Sequence, residues 1–302
     1  GWIITFLRKN LERHSGNKKN YLRIGGFVIT FIIIFTSGFL GWFIEKLSFS
    51  ENEITSIIGL ILLIILLSST IAARSLITSS LLVITSINKS NRTLDIKQAR
   101  KNLSYMVGRD VEDLNKREIL RAVAESASEN SVDGIFAPIF WMIIGILLWK
   151  LSHNLPGPLT LALIFKASST MDSMLGYRYG SLQWLGTAGA KLDDLLTWIP
   201  CRLVLITLPI ITKSWDQYYS LIRLSYLEGR TYNSPNSGLS EAIFAHCCDT
   251  KMGGINRYKD SIIEQPIIAS RKDRATIPSV SRILRASLNL EIFWLSIILS
   301  IG

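Results

Sequence analysis

Two uninterrupted apolar segments constrain the fold of this chain most strongly. Residues 24–44 carry no charged side chain, and residues 54–73 form a second such segment that ends at Arg74. A helix needs about 20 consecutive apolar residues to cross the hydrocarbon core of a bilayer. The two segments therefore predict a transmembrane helical hairpin with a short turn between its helices.

Further apolar segments follow along the chain, at residues 135–149, 195–212 and 286–301. The second of these is interrupted by Pro200, Arg202 and Pro209, and the third contains Glu291. Segments this short occur both as membrane helices and as buried core helices. Together with a mean hydropathy of +0.31, they predict an all-α, polytopic helical membrane protein with about five to six membrane-embedded helices and two cytoplasmic helical blocks.

The net charge of +10 is distributed unevenly between the apolar segments. Residues 1–23 carry six Lys or Arg and one acid, residues 74–134 carry ten Lys or Arg, and residues 45–53 carry one Lys and three acids. Basic loops remain in the cytoplasm. The pattern predicts a multi-pass protein of the cell (inner) membrane with the turn at 45–53 outside, and no nucleic-acid partner.

A second polar block, residues 213–285, carries eleven Lys or Arg and seven acids, which predicts a cytoplasmic position. A single crossing at 195–212 would place this block outside. Either that segment does not cross fully, or the chain crosses back later.

We predict a single membrane domain over residues 1–302. Its parts are a transmembrane hairpin (24–73), a polar helical block (74–134), an apolar hairpin (135–174), a motif-rich polar block (175–285) with apolar 195–212, and a C-terminal transmembrane helix (286–302). The chain begins at Gly1-Trp2 with an apolar stretch, and we expect this to be the end of an element that starts earlier.

The polar segment just before the third apolar segment contains an acidic stripe. Glu125, Glu129 and Asp133 are spaced i, i+4, i+8 and share one face of a helix. Like charges on one face repel one another unless a cation, a metal or a basic substrate lies there. The alternative is an exposed helix whose acids pair with Arg117 and Arg121.

A glycine and a proline that follow the acidic stripe predict a break between two helices. Gly134 is expected to stop the acidic helix, and Pro138 suits the first turn of the next one. The acids would then lie where a polar helix meets an apolar one, at the membrane surface.

Four polar clusters carry the chemically capable side chains. They are Glu125–Gly134, Thr170–Arg178, the group Lys191–Asp194 with Trp198–Arg202, and the group Ser234–Gly238 with Glu241 and Gly253–Tyr258. In this order and around these apolar segments, they closely resemble the CbiB/CobD family of cobalamin biosynthesis. The resemblance extends from Trp2 to about Arg285, and its most specific element reads ESASENSVDGIFAPIFW.

The chain departs from the family pattern in two places. The family's opening apolar stretch, which ends in a His-Pro pair, would lie before Gly1. The family also often has His-Pro before its SPNxG motif, whereas here Tyr232-Asn233 precede Ser234. No role of that histidine is therefore carried over.

The resemblance implies an adenosylcobinamide-phosphate synthase. Such an enzyme joins a propionate carboxyl of adenosylcobyric acid to aminopropanol, or to its phosphate, and ATP drives amide formation. The expected cofactors are Mg²⁺ and ATP as cosubstrate, and the expected partners are the two substrates, the lipid bilayer and other late cobalamin-pathway proteins. No Walker A or Rossmann fingerprint is present.

The same resemblance indicates the site residues. The expected catalytic acids are Glu125, Glu129, Asp133, Asp172, Asp193 and Asp194. Of these, Glu129, Asp133, Asp193 and Asp194 are expected to hold magnesium or act as the base. The expected residues for phosphate, nucleotide or substrate carboxylate are Arg178, Lys191, Arg202, Asn236, Gly238, Asn256 and Arg257.

Several of these residues have a structural alternative. The segment after Asn236 could open a helix with an anion-binding N-terminus, or Ser237 or Ser240 could be an ordinary N-cap. Asp193-Asp194 could cap a helix that begins at the apolar segment. Arg202 could extend to the membrane interface, although its place inside an apolar segment favours a paired or functional role.

Two other functions are compatible with the sequence. A non-catalytic regulatory membrane protein, like the related AmpE-like proteins, would share this architecture. A corrinoid transporter would also place ionisable residues within its spans, whereas here most acids lie at the ends of the spans.

Overall fold

The computed structural model describes residues 1–15, 18–88, 93–177, 180–258 and 261–301. The chain is predominantly helical, which confirms the predicted helical membrane architecture. Within the described residues, five helical segments are long and apolar enough to cross a membrane: Lys19–Ser48, Glu53–Ile87, Lys116–Leu151, Thr187–Thr212 and Ile277–Ser300.

The elements are as follows, in chain order. The helices are α1 (Trp2–Ser15), α2 (Lys19–Ser48), α3 (Glu53–Thr70), α4 (Ala73–Asn88), α5 (Thr93–Ser104), α6 (Lys116–Ser131), α7 (Ala137–Leu151), α8 (Pro158–Leu175), α9 (Leu182–Leu185), α10 (Thr187–Thr212), α11 (Trp215–Gly229), α12 (Ser237–Cys247) and α13 (Ile277–Ile301). A π-helical turn, Val132–Phe136, lies between α6 and α7, and the strands β1 (Met252–Tyr258) and β2 (Ser261–Ile268) follow α12.

The chain divides into two compact units. The first unit comprises Gly1–Ile71 and Ala137–Thr197, and the second comprises Ala72–Phe136 and Trp198–Ile301. Each unit therefore combines segments that are distant in sequence.

In the first unit, α2 packs against α3, α8 and α9. Ile29 and Ile33 of α2 are buried against Met171 of α8 in one apolar cluster. Gly41 lets α2 approach α8 closely, because a Cβ at this position would lie 2.7 Å from the Cα of Thr160. Small residues allow such close packing between membrane helices.

Glu45 of α2 caps the N-terminus of α8 in place of a local side chain. The N-cap residue of α8 is Gly157, which has no side chain to accept from the first amides. The buried Glu45 carboxylate instead accepts from the Gly157 and Thr160 amides, each at 2.9 Å, and from the Thr160 hydroxyl. This carboxylate fixes the start of α8 relative to α2.

Glu45→Gln is expected to lower the free energy of unfolding by about 1–3 kcal/mol, because an amide nitrogen cannot accept from these donors and leaves one of them unsatisfied. Thermal unfolding in detergent measures the loss. Glu53→Gln, in the exposed first turn of α3, is the matched control. Equal midpoints for both variants would contradict the capping role.

In the second unit, α6 is the central element and contacts α4, α5, α12, α13 and β1. Residues 122–128 of this helix are buried without interruption. Its N-terminus has a complete capping box between Asn115 and Glu118. The acidic segment is therefore an interior helix rather than the exposed one considered from sequence.

The prediction that Gly134 stops the acidic helix is wrong. The helix continues into α7 through the π turn Val132–Phe136, and Pro138 lies in the first turn of α7 as predicted. The Gly134 carbonyl accepts from the Ala72 amide at 2.7 Å, so an external donor compensates for the altered helical bonding. Single π turns of this kind occur frequently at functional sites.

The sequence pattern also missed a β-hairpin. β1 and β2 pair antiparallel, with an irregularity between Met252 and Gly254. Gly253 and Gly254 have φ values of +85° and +112°, which glycine adopts readily. The two glycines and the largely exposed β2 obscure the alternation by which a strand is recognised in sequence.

Candidate active site

Glu125 is the centre of a buried polar cluster in the second unit. Its Oε2 accepts from Arg109 at 2.6 Å, and its Oε1 accepts from Arg121 at 3.0 Å and from the Gly253 amide at 2.9 Å. Arg121 also donates to the carbonyl of Gly253. Both oxygens of this predicted catalytic acid are thus occupied by groups that join α6 to β1.

Arg109 connects Glu125 to Asn256. Two predicted site residues are therefore joined by an arginine that was not among the predicted site residues. Arg109 is 8% exposed and donates to the Asn256 side chain, which in turn donates to Gln265 at 2.8 Å. Burial of an arginine requires a charged partner, but the sequence around Arg109 shows only a loop.

Arg257 does not join this cluster. Neighbouring residues of a strand point to opposite faces, and Asn256 is buried while Arg257 is exposed. The Arg257 guanidinium lies 4.0 Å from the exposed Asp113 carboxylate. The two residues of β1 that were predicted together therefore serve different surfaces.

Glu129 and Asp133 are half-buried, and Asp133 lies within the π turn. Glu129 interacts electrostatically with Glu241 and Tyr258. Asp133 interacts electrostatically with the thiol of Cys201. These two carboxylates combine partial burial with access, which an acid needs to reach a bound substrate or ion.

Glu241 is a buried carboxylic acid that was not among the predicted site residues. It is 3% exposed, and its Oε2 lies 3.3 Å from the Tyr232 hydroxyl, which is also 3.3 Å from the carbonyl of Pro266. Burial, followed by the charges of Glu125 and Glu129, raises the pKa of Glu241 well above its usual value. A neutral Glu241 can donate to Tyr232 while Tyr232 donates to Pro266.

Glu241→Gln is expected to flatten the pH dependence of stability. Because the folded pKa of Glu241 lies above its unfolded value, its contribution to stability is complete below pH ~4.5 and is lost as pH rises towards the folded pKa. Glutamine resembles the protonated acid and does not titrate. Unfolding midpoints measured from pH 5 to 8 should decline less in the variant than in the unmodified protein. The exposed Glu264→Gln should not change the decline, and identical slopes for all three proteins would contradict the prediction.

Arg202 and Asn236, both predicted to bind a ligand, contact each other. Arg202 donates to the Asn236 side chain at 2.6 Å and to the Pro235 carbonyl at 3.0 Å, and it lies over the ring of Trp198. It is therefore paired, in agreement with the expectation for a charge inside an apolar segment. The thiol of Cys201 donates to the Asn236 carbonyl at 3.3 Å.

The helix predicted after Asn236 is confirmed as α12. Neither Ser237 nor Ser240 is its N-cap, so that alternative is wrong: Asn236 occupies the position and makes no side-chain cap bond. Gly238 has a packing role, because a Cβ there would lie 2.2 Å from the carbonyl of Gly229 in α11. Glycine at this position thus brings α11 and α12 together.

The first unit holds the other predicted acids. Asp172 lies near the end of α8, and Asp193 and Asp194 lie within α10, whose first residue is Thr187. The alternative that the adjacent acids cap a helix is therefore wrong, because α10 begins two turns earlier. Asp172 and Asp194 interact electrostatically as like charges, and such repulsion is relieved by protonation of one acid or by a cation near them.

Lys191 is exposed on α10, one turn before Asp194. Arg178, also predicted to bind phosphate, lies outside the described residues. The remaining predicted residues are thus divided between the units. Lys191, Asp172, Asp193 and Asp194 belong to the first, and Glu125, Glu129, Asp133, Arg202, Asn236, Gly238, Asn256 and Arg257 belong to the second.

Among the described residues, the predicted magnesium ligands bring at most two carboxylates to one ion. Across the described ranges, no three His, Cys, Asp or Glu side chains form a group that could hold a metal. Mg²⁺ usually takes one or two carboxylates and fills its other positions with water and phosphate oxygens. Glu129 and Asp133, spaced i, i+4, suit such a pair, whereas the consecutive Asp193 and Asp194 point about 100° apart on α10.

The family model described as CobD/Cbib protein matches residues 1–287. The chain belongs to the CobD/CbiB family. This membership extends over the clusters of both units, and it agrees with the resemblance expected from sequence.

Curated members of the CobD/CbiB family match the chain over most of its length. "Cobalamin biosynthesis protein CobD" of Synechocystis sp. is 36% identical over 284 residues, which cover 94% of this chain and 78% of that protein. The protein of the same name from Clostridium acetobutylicum is 32% identical over 299 residues, which cover 98% of this chain and 88% of that protein. "Cobalamin biosynthesis protein CbiB" of Salmonella typhimurium is 29% identical and covers 94% and 83%. No solved structure matches significantly.

Proposed function

We propose that this protein acts in cobalamin biosynthesis as an ATP-dependent ligase. It would join the amine of aminopropanol, or of its phosphate, to a propionate carboxyl of adenosylcobyric acid. The observation that carries the proposal is the half-buried position of two acids in a CobD/CbiB-family chain, Glu129 in the last turn of α6 and Asp133 in the π turn. Partly buried carboxylates at a helix irregularity suit cation binding and proton transfer.

Amide formation needs an activated carboxyl, because a carboxylate and an ammonium do not condense in water at neutral pH. In the proposed reaction, a carboxylate oxygen of the corrinoid attacks the γ-phosphorus of ATP, and ADP leaves. The amine nitrogen then attacks the carbonyl carbon of the acyl phosphate. Inorganic phosphate leaves with the original carboxylate oxygen, and the amine gives its proton to a base.

The chain supplies two kinds of groups for these steps. Glu129, Asp133, Asp193 and Asp194 would hold magnesium or accept the proton, and bound magnesium neutralises phosphate charge. Asp172 would act beside Asp194. Arg178, Lys191 and Arg257 would bind anionic oxygens, a task to which a guanidinium is well suited.

Four other predicted residues already have partners within the protein. Glu125 and Asn256 contact Arg109, and Arg202 and Asn236 contact each other. We assign them as positioning residues that hold the loops around the site. A positioning role requires that their removal changes stability as well as turnover.

The chain is a multi-pass membrane protein, and we propose that its active-site clusters face the cytoplasm. The excess of Lys and Arg in residues 74–134 and 213–285 supports this orientation. Association with other late cobalamin-pathway proteins stays a prediction. A thiol-labelling assay of single cysteines in these loops, in intact cells, would test the orientation.

The ligase proposal is tested by product formation. Detergent-solubilised protein is supplied with adenosylcobyric acid, Mg²⁺, ATP and either amine donor, and the product is identified by mass spectrometry. ATP-dependent adenosylcobinamide, or its phosphate, is the expected product. Absence of product with both donors, from protein shown to be folded, would favour the regulatory or transport alternative.

A further inference from the structure

A polar cavity of about 310 Å³ lies in the second unit, beside the contacts that Arg121 and Gly253 make with Glu125. It is formed where the first turns of α6 meet the start of β1 and the segment before α13. Four basic side chains line it: Arg117, Arg121, Lys251 and Arg274. This concentration of positive charge needs an explanation, because like charges in one cavity repel one another.

The carboxylates near the cavity do not balance these cations. Glu118, the acidic lining residue, uses its Oε2 to accept from the Asn115 amide at 2.9 Å in the capping box of α6. Arg121 pairs with Glu125. In the described part of the chain, Arg117, Lys251 and Arg274 form no ion pair.

Backbone contacts involve three of these four cations, namely Lys251, Arg274 and Arg121. Lys251 and Arg274 form an isolated parallel bridge, and the Lys251 amide donates to the Asp273 carbonyl at 2.7 Å. Arg121 donates to the carbonyls of Gly253 and Ile255 at 3.0 and 2.9 Å. The backbone positions of Lys251 and Arg274 and the guanidinium of Arg121 are thus fixed before any ligand binds.

A glycine at the cavity wall allows the two strands of the hairpin to pair closely. Gly253 has φ +85°, and a Cβ there would lie 2.1 Å from the carbonyl of Pro266. Its amide donates to Glu125 at 2.9 Å. The positive end of the α6 dipole adds to the field in the cavity. Arg117 and Arg274 are exposed and Lys251 is half-buried, so a ligand can enter from water.

We propose that this cavity binds a phosphate-bearing small molecule through Arg117, Lys251 and Arg274. Three unpaired cations around one cavity match the charge of a phosphate ester, and the guanidinium groups allow paired contacts to two of its oxygens. The volume is at the lower end for ligand pockets, which suits a phosphate group with a short organic substituent. The proposal that a phosphate group binds here depends only on the residues that line the cavity.

The source of the phosphate rests on the proposed function. The proposed reaction contains two such compounds, the phosphorylated amine donor and ATP. Binding is therefore measured by isothermal titration calorimetry of the full chain in detergent with aminopropanol phosphate and, separately, with a non-hydrolysable ATP analogue. Unphosphorylated aminopropanol is the ligand control.

The key variant replaces Arg117, Lys251 and Arg274 by glutamine together. It should weaken the binding of one phosphate compound by about tenfold or more, since each cation makes a charge-assisted contact. Arg271→Gln, an exposed arginine in the same segment that does not line the cavity, should bind like the unmodified protein. If the triple variant does not fold, Lys251→Gln and Arg274→Gln provide the same comparison singly.

Three results would overturn the site: no binding of either phosphate compound to the folded protein, unchanged binding by the variants, or an equal loss in Arg271→Gln. Product formation measured in parallel separates this proposal from the ligase proposal. If the variants lose binding and no protein, modified or unmodified, forms product, the phosphate site is supported and the ligase proposal is rejected. If the variants form product and their KM values for both phosphate compounds are unchanged, the ligase proposal is supported and the phosphate site is rejected.

Discussion

Glu125→Ala is expected to lower the free energy of unfolding by about 3–5 kcal/mol, the usual cost of removing one partner of a buried ion pair. The substitution leaves Arg109 and Arg121 without their shared carboxylate and the Gly253 amide without its acceptor. The loss should appear as a lower unfolding midpoint in detergent. Turnover should fall only as far as the folded fraction falls.

Glu112→Ala is the matched control, because Glu112 is an exposed acid of the same unit. We expect no measurable change in stability for this variant. Glu125→Gln keeps the shape of the side chain but not its charge. Its unfolding midpoint should lie between those of Glu125→Ala and Glu112→Ala. A stable, folded Glu125→Ala protein without turnover would contradict the positioning role and return Glu125 to the catalytic group.

Asp133→Asn is expected to lower product formation by about a hundredfold or more, the usual effect of losing a general base, without altering stability. Asparagine keeps the size of the side chain, but it is neutral and accepts protons poorly. It also supplies a weaker ligand than a carboxylate for magnesium. The measurement is initial velocity under saturating substrates, together with a thermal unfolding curve.

Asp110→Asn provides the comparison, since Asp110 is an exposed acid in the same unit. Its initial velocity should equal that of the unmodified protein. Normal turnover by Asp133→Asn would remove Asp133 from the site, and Glu129 of α6 would be the next acid to test.

The helical framework could be predicted because its signals are local. The charge-free segment 24–44 lies within α2, and the polar segment after Asn236 forms α12, as expected. Apolar length and helix-start signals depend on consecutive residues. The sequence alone was therefore sufficient for these elements.

The remaining features depend on contacts between distant segments. The Gly134 carbonyl finds its donor in Ala72, and this contact compensates for a π turn that local helix rules do not predict. Arg109 becomes a buried residue only because Glu125 and Asn256 reach it. Glu241 belongs to one of the polar clusters in the sequence. Its burial beside Glu125 and Glu129 could not be predicted from its neighbours in sequence.

The most direct test of the central claim uses adenosylcobyric acid labelled with ¹⁸O in the reacting carboxylate. If ATP activates that carboxylate, each turnover transfers one labelled oxygen to inorganic phosphate, and the other remains in the amide carbonyl. Mass spectrometry of both products measures this distribution. We predict ATP-dependent amide formation with labelled phosphate. Amide formed without ATP, or together with unlabelled phosphate, would contradict the account.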